Sequence, residues 1–346
     1  MYKKIFAIGL TMSMVLGLTA CSGGQGAQTS GTDTATTEQT STGSGDAVVL
    51  KISNPMSENS PYQEIMQTYA DKVSELTDGH VVCEIYSGAV LGDDREQMEG
   101  MSLGTSEIAL IAPTVMEQFT SDAAFFNVPF LIQSREHGQK ILDSSVAADL
   151  EESLKEHGYN HIAWLETGTR NIFTKEPVES VDDLQGIKLR VMENSMHIKA
   201  FEALGCIPVP MAFTEIYTAL QQGTIDGLEN VTSDCLTEGF YESTKYITMS
   251  EHLWNYIGVG ISDKALEKVP EEYRDALVEA GDYIESISGD VFEEENDDVI
   301  KQLEEKGVTF LDIDKAELKA KVDLAIQEYL DQIGQEKIDL INSLAE

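Results

Sequence analysis

The chain is 346 residues long and 42% hydrophobic, with 61 acidic against 23 basic residues and a formal charge of -38. That balance excludes nucleic-acid binding through phosphate neutralisation and argues against a broad electrostatic footprint on anionic lipid. An acidic ligand has to be held by a few local cations against an unfavourable overall field, which salt screens beyond about 10 Å.

Residues 1–20 carry Lys3 and Lys4, then the apolar run IFAIGLTMSMVLGL, and close with Leu18-Thr19-Ala20 before Cys21. The apolar core is too short to be read first as a spanning helix and has the layout of a secretory signal. Leucine three places before the cysteine, followed by small residues, resembles the bacterial lipobox and implies a diacylglyceryl thioether on Cys21. Two acyl chains on one residue suffice for stable membrane anchoring. The segment 21–47 is rich in Ser, Thr, Gly, Gln and Ala, with no aromatic, lysine or arginine. It is predicted to be a disordered, lipid-anchored linker, because it buries too little apolar surface to offset its ordering entropy.

Beyond the linker, VVLKIS at 48–53 reads as a buried strand. A helix is predicted over 61–76, where Tyr62, Ile65, Met66, Tyr69 and Val73 recur at helical spacing. A strand at 80–86, a helix at 94–103 and a strand at 107–112 continue an α/β alternation, which implies a largely parallel sheet with ligands at its strand ends. A helix at 136–157 leads to the strand HIAWLETG, and a second α/β series begins near Thr169. Its predicted strands are 188–192, 207–209 and 224–228; its helices are 196–204 and 213–222. The stretch 270–306 reads as one long helix, bent around Ser288-Gly289, reaching roughly 50 Å at 1.5 Å per residue. Its acidic run at 293–298 is read as a solvated face. Cys83, Cys206 and Cys235 have no metal-ligand spacing; Cys206 and Cys235 are either a bridge or buried free thiols.

Chemistry concentrates between Glu166 and Val231, where Arg170 and Arg190 flank apolar strands. Fixed guanidiniums beside an apolar surface are suited to capturing a carboxylate. Six histidines form no HExxH pair, and no GxSxG elbow or phosphate-cradling glycine loop occurs. The chain therefore reads as a binding protein without a cofactor rather than as an enzyme. The alternative kept open is a lipid-anchored enzyme acting on an acidic metabolite.

Five segments, in order, resemble the solute-binding proteins of TRAP transporters, the DctP family: LGDDREQME at 91–99, VPFLI at 128–132, GTRNIFTKEPVESVDDLQGIKLRV at 168–191, ALG at 203–205 and PMAFTEIYTALQQGTIDGLEN at 210–230. The resemblance implies a two-lobe periplasmic-binding-protein-like α/β fold with a central cleft, spanned by a long helix, that closes over a small organic acid for a membrane permease. It implies lobes made of 48–167 with 256–295 and of 168–255 with 296–346, hinged near 167–169 and 254–257. By this resemblance Arg190 forms a bidentate pair with the ligand carboxylate, Arg170 helps to bind or close over it, and Asn230 hydrogen-bonds it. Phe213 forms a wall, and Asn54 and Asp94 contribute polar contacts from the other lobe. Glu193, His252 and Asn255 are further polar candidates, with Trp254 placed to stack on a sugar face.

The segments GTRNIFTKEPVES and LRVMENS look most like the branch associated with hexuronates and aldonates. C4-dicarboxylates and 2-oxo acids remain alternatives. Ala112 and Val115 lack the charged residues that sialic-acid binders carry there, and Val231 stands where the family commonly has proline.

Overall fold

The computed structural model describes residues 47–345. The signal, Cys21 and all of the linker but its last residue lie outside the described residues.

Nine strands form one sheet: β1 (Val48–Ser53), β2 (Val81–Tyr86), β3 (Ile108–Ile111), β4 (Tyr159–Thr174), β5 (Lys188–Val191), β6 (Ile207–Pro210), β7 (Gly227–Val231), β8 (Tyr246–Ser262) and β9 (Thr309–Leu311). Their order is β2-β1-β3-β8-β4-β7-β5-β6, with β9 pairing β8. The long strands β4 and β8 run antiparallel to each other and belong to both halves. At one end β3 pairs with residues 258–261 of β8, carrying the parallel β1 and β2. At the other, β7 pairs with residues 170–174 of β4, carrying the parallel β5 and β6. Between these zones the β4–β8 register shifts at Glu166/Thr169 and again at Arg170/Ile172. Such bulges bend and twist the strands, so the two half-sheets diverge there and leave a cleft. The result is the two-lobed α/β architecture expected from the sequence.

One core cluster joins both halves, with Ile111, Trp164, Leu189 and Val191, and two others belong mainly to one half each. Leu50, Ile52, Ile65, Tyr69, Leu110 and Val259 pack in one; Phe173, Ile216, Leu220, Leu228 and Ile247 pack in the other. The helix Glu271–Glu305 serves both, placing Leu277, Ala280 and Ile284 in the first and Val299 and Leu303 in the second. It also bonds directly to β4: Trp164 N donates to Glu285 Oε2 at 2.7 Å and Glu166 N to Ser288 Oγ at 3.1 Å. This approach needs glycine, since a Cβ on Gly281 would lie 2.4 Å from the Ile162 carbonyl oxygen.

Several boundaries differ from expectation. The helix predicted at 136–157 is two, Arg135–Leu142 and Ser145–Lys155, because the Ser144 side chain accepts from Val146 N and starts the second. The long helix, by contrast, is the single helix expected, running from Glu271 to Glu305 through Ser288-Gly289. The strand expected at 224–228 starts at Gly227, where a Cβ would lie 2.2 Å from the Phe173 carbonyl oxygen, and runs on through Asn230. Glu229 and Asn230 are thus ladder residues rather than turn residues. Cys83, Cys206 and Cys235 are free thiols, with Cys206 and Cys235 in separate core clusters.

Replacing glycine by alanine inside a helix ordinarily stabilises it. Gly281→Ala is expected to do the opposite, by about 1–3 kcal/mol, because the methyl group meets β4 backbone. Urea unfolding measures this, and a variant as stable as the parent would contradict the close helix–sheet contact.

Candidate ligand site

The cleft encloses about 990 Å³ of space, counted to its open mouth. One wall carries Asp94, Ala112, Thr114 and Val115; the other carries Arg190, Met211, Phe213 and Asn230; Arg170, Trp254 and Asn255 line it from the crossing strands.

Arg190 is held by β5, whose last three residues are buried, and is itself 4% exposed. Its Nε and Nη2 both donate to the Met211 carbonyl oxygen, at 3.1 and 2.9 Å, which fixes the guanidinium plane. Among the described residues no carboxylate lies within 4.0 Å of it. Burial lowers its pKa to about 10, so it remains a cation at neutral pH. A buried, immobilised and unneutralised guanidinium is costly unless an anion joins it.

Arg170 lies in the same cleft but is already neutralised. Its Nε donates to Glu229 Oε2 at 2.5 Å, its Nη2 to Glu229 Oε1 and to the Glu229 carbonyl oxygen, and its Nη1 to Asn255 Oδ1. These four bonds leave about one of the five guanidinium hydrogens free. Glu229 is fully buried. Burial would raise its pKa, but the Arg170 charge and the hydrogen bond from His252 hold it well below the usual carboxylate range. Asn255 Nδ2 in turn donates to Thr167 Oγ1, so the network ends at the register shift between the half-sheets.

Of the other expected residues, Asn230 lines the cleft with its amide positioned by Asp234 Oδ2 and Val231 N. Phe213 touches both cores and meets Phe240 edge-on. Asp94 accepts from Ala112 N, and burial raises its pKa to about 6. Glu193 pairs with Arg95 across the mouth at 3.7 Å. Trp254 and Asn255 both line the cleft.

Asn54 and His252 do not line it. The Asn54 side chain bonds Ser87 and Met56 N, shaping the loop that presents Pro55 and Met56 instead. His252 is turned toward Ser250 and Glu229. Sequence reasoning missed Tyr62, Asn127 and Asp234, all in the lining. Tyr62 was legible only as a core position of its helix, and no spacing signal separates Asp234 from the other acids of this acidic chain. Further polar bonds cross between the halves: Ser57 N donates to Glu238 Oε1, and Asn194 Nδ2 donates to Glu117 Oε2, which also accepts from Asn127 of its own half.

The sequence profile of the DctP family, bacterial extracellular solute-binding protein family 7, matches residues 52–336. The chain belongs to the DctP family. A solute-binding protein of Verminephrobacter eiseniae is 30% identical over 297 residues, covering 85% of this chain and 88% of its own length. A TRAP periplasmic solute-binding protein of Polaromonas sp. JS666, solved with D-erythronate, superposes with a TM-score of 0.81 at 27% identity, covering 85% of this chain and 98% of its own. The sugar-acid-binding protein of Advenella mimigardefordensis, solved with galactonate, gives a TM-score of 0.83 at 26% identity, covering 86% and 98%. This DctP-family chain is accordingly an extracytoplasmic solute-binding protein of a TRAP transporter and not an enzyme. No helix among its described residues is long and apolar enough to cross a membrane.

Two consequences of the DctP-family site are measurable. Glu229→Gln leaves Arg170 a buried cation without its carboxylate and is expected to cost roughly 3–5 kcal/mol in urea unfolding; a loss well below that range would mean that the pair is not the electrostatic anchor of the cleft. The second concerns Asp234, whose pKa burial raises from 3.8 to about 7. A raised acid binds more protons folded than unfolded, so its contribution to ligand-free stability falls as pH rises from about 4 to about 7. Asp234→Asn removes that contribution, and its stability relative to the parent should increase across the same window; an unchanged difference between pH 4 and pH 8 would contradict the assignment.

Proposed function

We propose that this protein captures a sugar acid, a hexuronate or aldonate, through a bidentate ion pair between the ligand carboxylate and Arg190, and delivers it to the membrane permease. The observation that carries the reading is the cation balance of the cleft. Three guanidiniums line it: Arg95 at the mouth meets Glu193 at 3.7 Å, Glu229 neutralises Arg170, and Arg190 has only a carbonyl oxygen beneath it. A carboxylate entering the cleft supplies the missing charge and the shape match of two oxygens to the guanidinium fork. Asn230 and Arg170 contribute from the same side, Phe213 and Trp254 offer apolar and aromatic faces, and Asp94 and Glu193 offer polar groups from opposite walls.

D-erythronate and galactonate, bound by the two structural relatives, are both hydroxylated acids with one carboxylate. A C4-dicarboxylate needs a second cation of its own, and Arg170 is largely committed to Glu229. Closure occurs between lobes 48–167 with 256–295 and 168–255 with 296–346, where β4 and β8 cross. Cys21 carries the lipid that keeps the protein at the outer face of the membrane.

Isothermal titration of the purified chain with D-galactonate, D-glucuronate, D-erythronate, succinate and 2-oxo acids tests the reading. The parent is expected to bind a hydroxylated monocarboxylate, and Arg190→Ala to lose at least roughly 10- to 150-fold in affinity with its melting temperature retained. Near-parental affinity in that variant would refute the clamp. Mass spectrometry of the mature amino terminus should find a diacylglyceryl Cys21, and Cys21→Ala should release the protein from membranes; an unmodified terminus would remove the anchor from this account.

A further inference from the structure

Among the described residues, Asp234 Oδ1 is the one buried side-chain polar atom lining the cleft that meets no protein hydrogen-bond partner. Asp234 lies in the helix Thr232–Thr237 that follows β7 directly, and is 2% exposed. Its other oxygen accepts from Asn230 Nδ2 at 2.7 Å, which fixes the carboxyl group beside the proposed carboxylate-binding asparagine. The charged and titratable groups around it are Tyr62 from the helix Pro61–Leu76, Arg170 from β4, Arg190 from β5, and Glu238 just beyond its own helix. Burial holds the Tyr62 phenol well above its ordinary pKa, so it stays neutral. A carboxyl oxygen desolvated in this way is unfavourable unless a donor reaches it, and Asp234 belongs to the cleft lining.

Resting on the reading of Arg190 as the carboxylate clamp, we propose that Asp234 is the residue that selects a hydroxylated acid. Its free oxygen accepts a hydrogen bond from a ligand hydroxyl, and its charge disfavours a second carboxylate at the same position. The division of labour follows from the chemistry. The guanidinium recognises the one group all organic acids share, whereas an acceptor of fixed direction rewards a hydroxyl and leaves an unmatched carboxyl against an alkyl chain. Specificity then comes as much from the penalty on the wrong ligand as from the bond to the right one. Asp94, on the opposite wall and also raised by burial, already accepts from Ala112 N and is less available for this role. A ligand ammonium could also satisfy a carboxylate, but both arginines lie close enough to influence Asp234 electrostatically and oppose a further cation there.

The test compares affinities of the full chain for D-galactonate, D-glucuronate and D-erythronate with those for butyrate, succinate and 4-aminobutyrate, by titration calorimetry. The parent should prefer the best hydroxylated acid over the other three. In Asp234→Ala that preference over butyrate should shrink by roughly tenfold or more. Asp234→Asn keeps a side chain of the same shape next to Asn230, and in it the preference over succinate should shrink while the variant stays folded at the assay pH. In the parent, affinity for the hydroxylated acid should weaken as pH falls below about 7, where the carboxyl takes up a proton; in Asp234→Asn this dependence should vanish. Unchanged preferences in both variants, or a parent that prefers succinate or 4-aminobutyrate, would overturn the proposal while leaving the Arg190 clamp intact. A parent that binds none of these acids would refute the clamp, and the role of Asp234 with it.

Discussion

Two buried guanidiniums line one cleft, and the protein supplies a carboxylate to only one of them. Glu229 takes Arg170 in a bidentate grip at 2.5 and 3.0 Å, while Arg190 rests on a carbonyl oxygen. Burying either charge is expensive in isolation. The first is neutralised by folding, and the second is left for what enters the cleft. In a chain of charge -38 this asymmetry matters more than it would in a basic protein, because the long-range field opposes an anion and a short-range, desolvated contact has to overcome it.

The scaffold produces that asymmetry through its two crossing strands. β4 places Arg170 beside a register shift, where the ladder to β8 is interrupted, and β7 brings Glu229 into the same sheet two strands from β8. Arg190 comes from β5, on the far side of β7, so the strand that neutralises one arginine separates it from the other. Asn255 and Thr167 extend the Arg170 network to the bend itself. The group that fixes charge in the cleft is therefore bonded to the register shift between the half-sheets, and the helix Glu271–Glu305 packs into both of their cores.

Much of this was legible in the residues. Alternating apolar strands and amphipathic helices gave the α/β class, and the helical spacing of Leu277, Ala280 and Ile284 gave the long helix with its buried stripe. Arg190 was singled out because KLRV resembles the DctP-family segment that carries a ligand arginine, and the structure places it in the cleft lining. Arg170 was read from the sequence as a second ligand group, and its pairing with Glu229 was not foreseen, because that contact joins positions far apart in the chain through a strand register no local pattern encodes. The same limit displaced β7: Gly227 is needed for backbone approach to Phe173, a tertiary demand that propensity does not carry. Asn54 misled for the opposite reason. Its local pattern, Asn-Pro after a strand, signals a turn, and its side chain is spent on that turn.

The remaining polar groups of the cleft explain how a site built around one cation can be selective. Asp94, Asp234 and Glu193 are acids that line the cleft together with Arg190, and burial raises the first two to about 6 and about 7. Carboxyl groups with such values accept from a hydroxyl when ionised, and in that form they oppose a second anion. On the proposed reading, a buried arginine without a protein carboxylate, set among raised acids, suits a ligand with charge at one end and hydroxyls along its length, and the acidic surroundings that weaken the attraction for any anion also penalise a dianion more heavily than a monoanion.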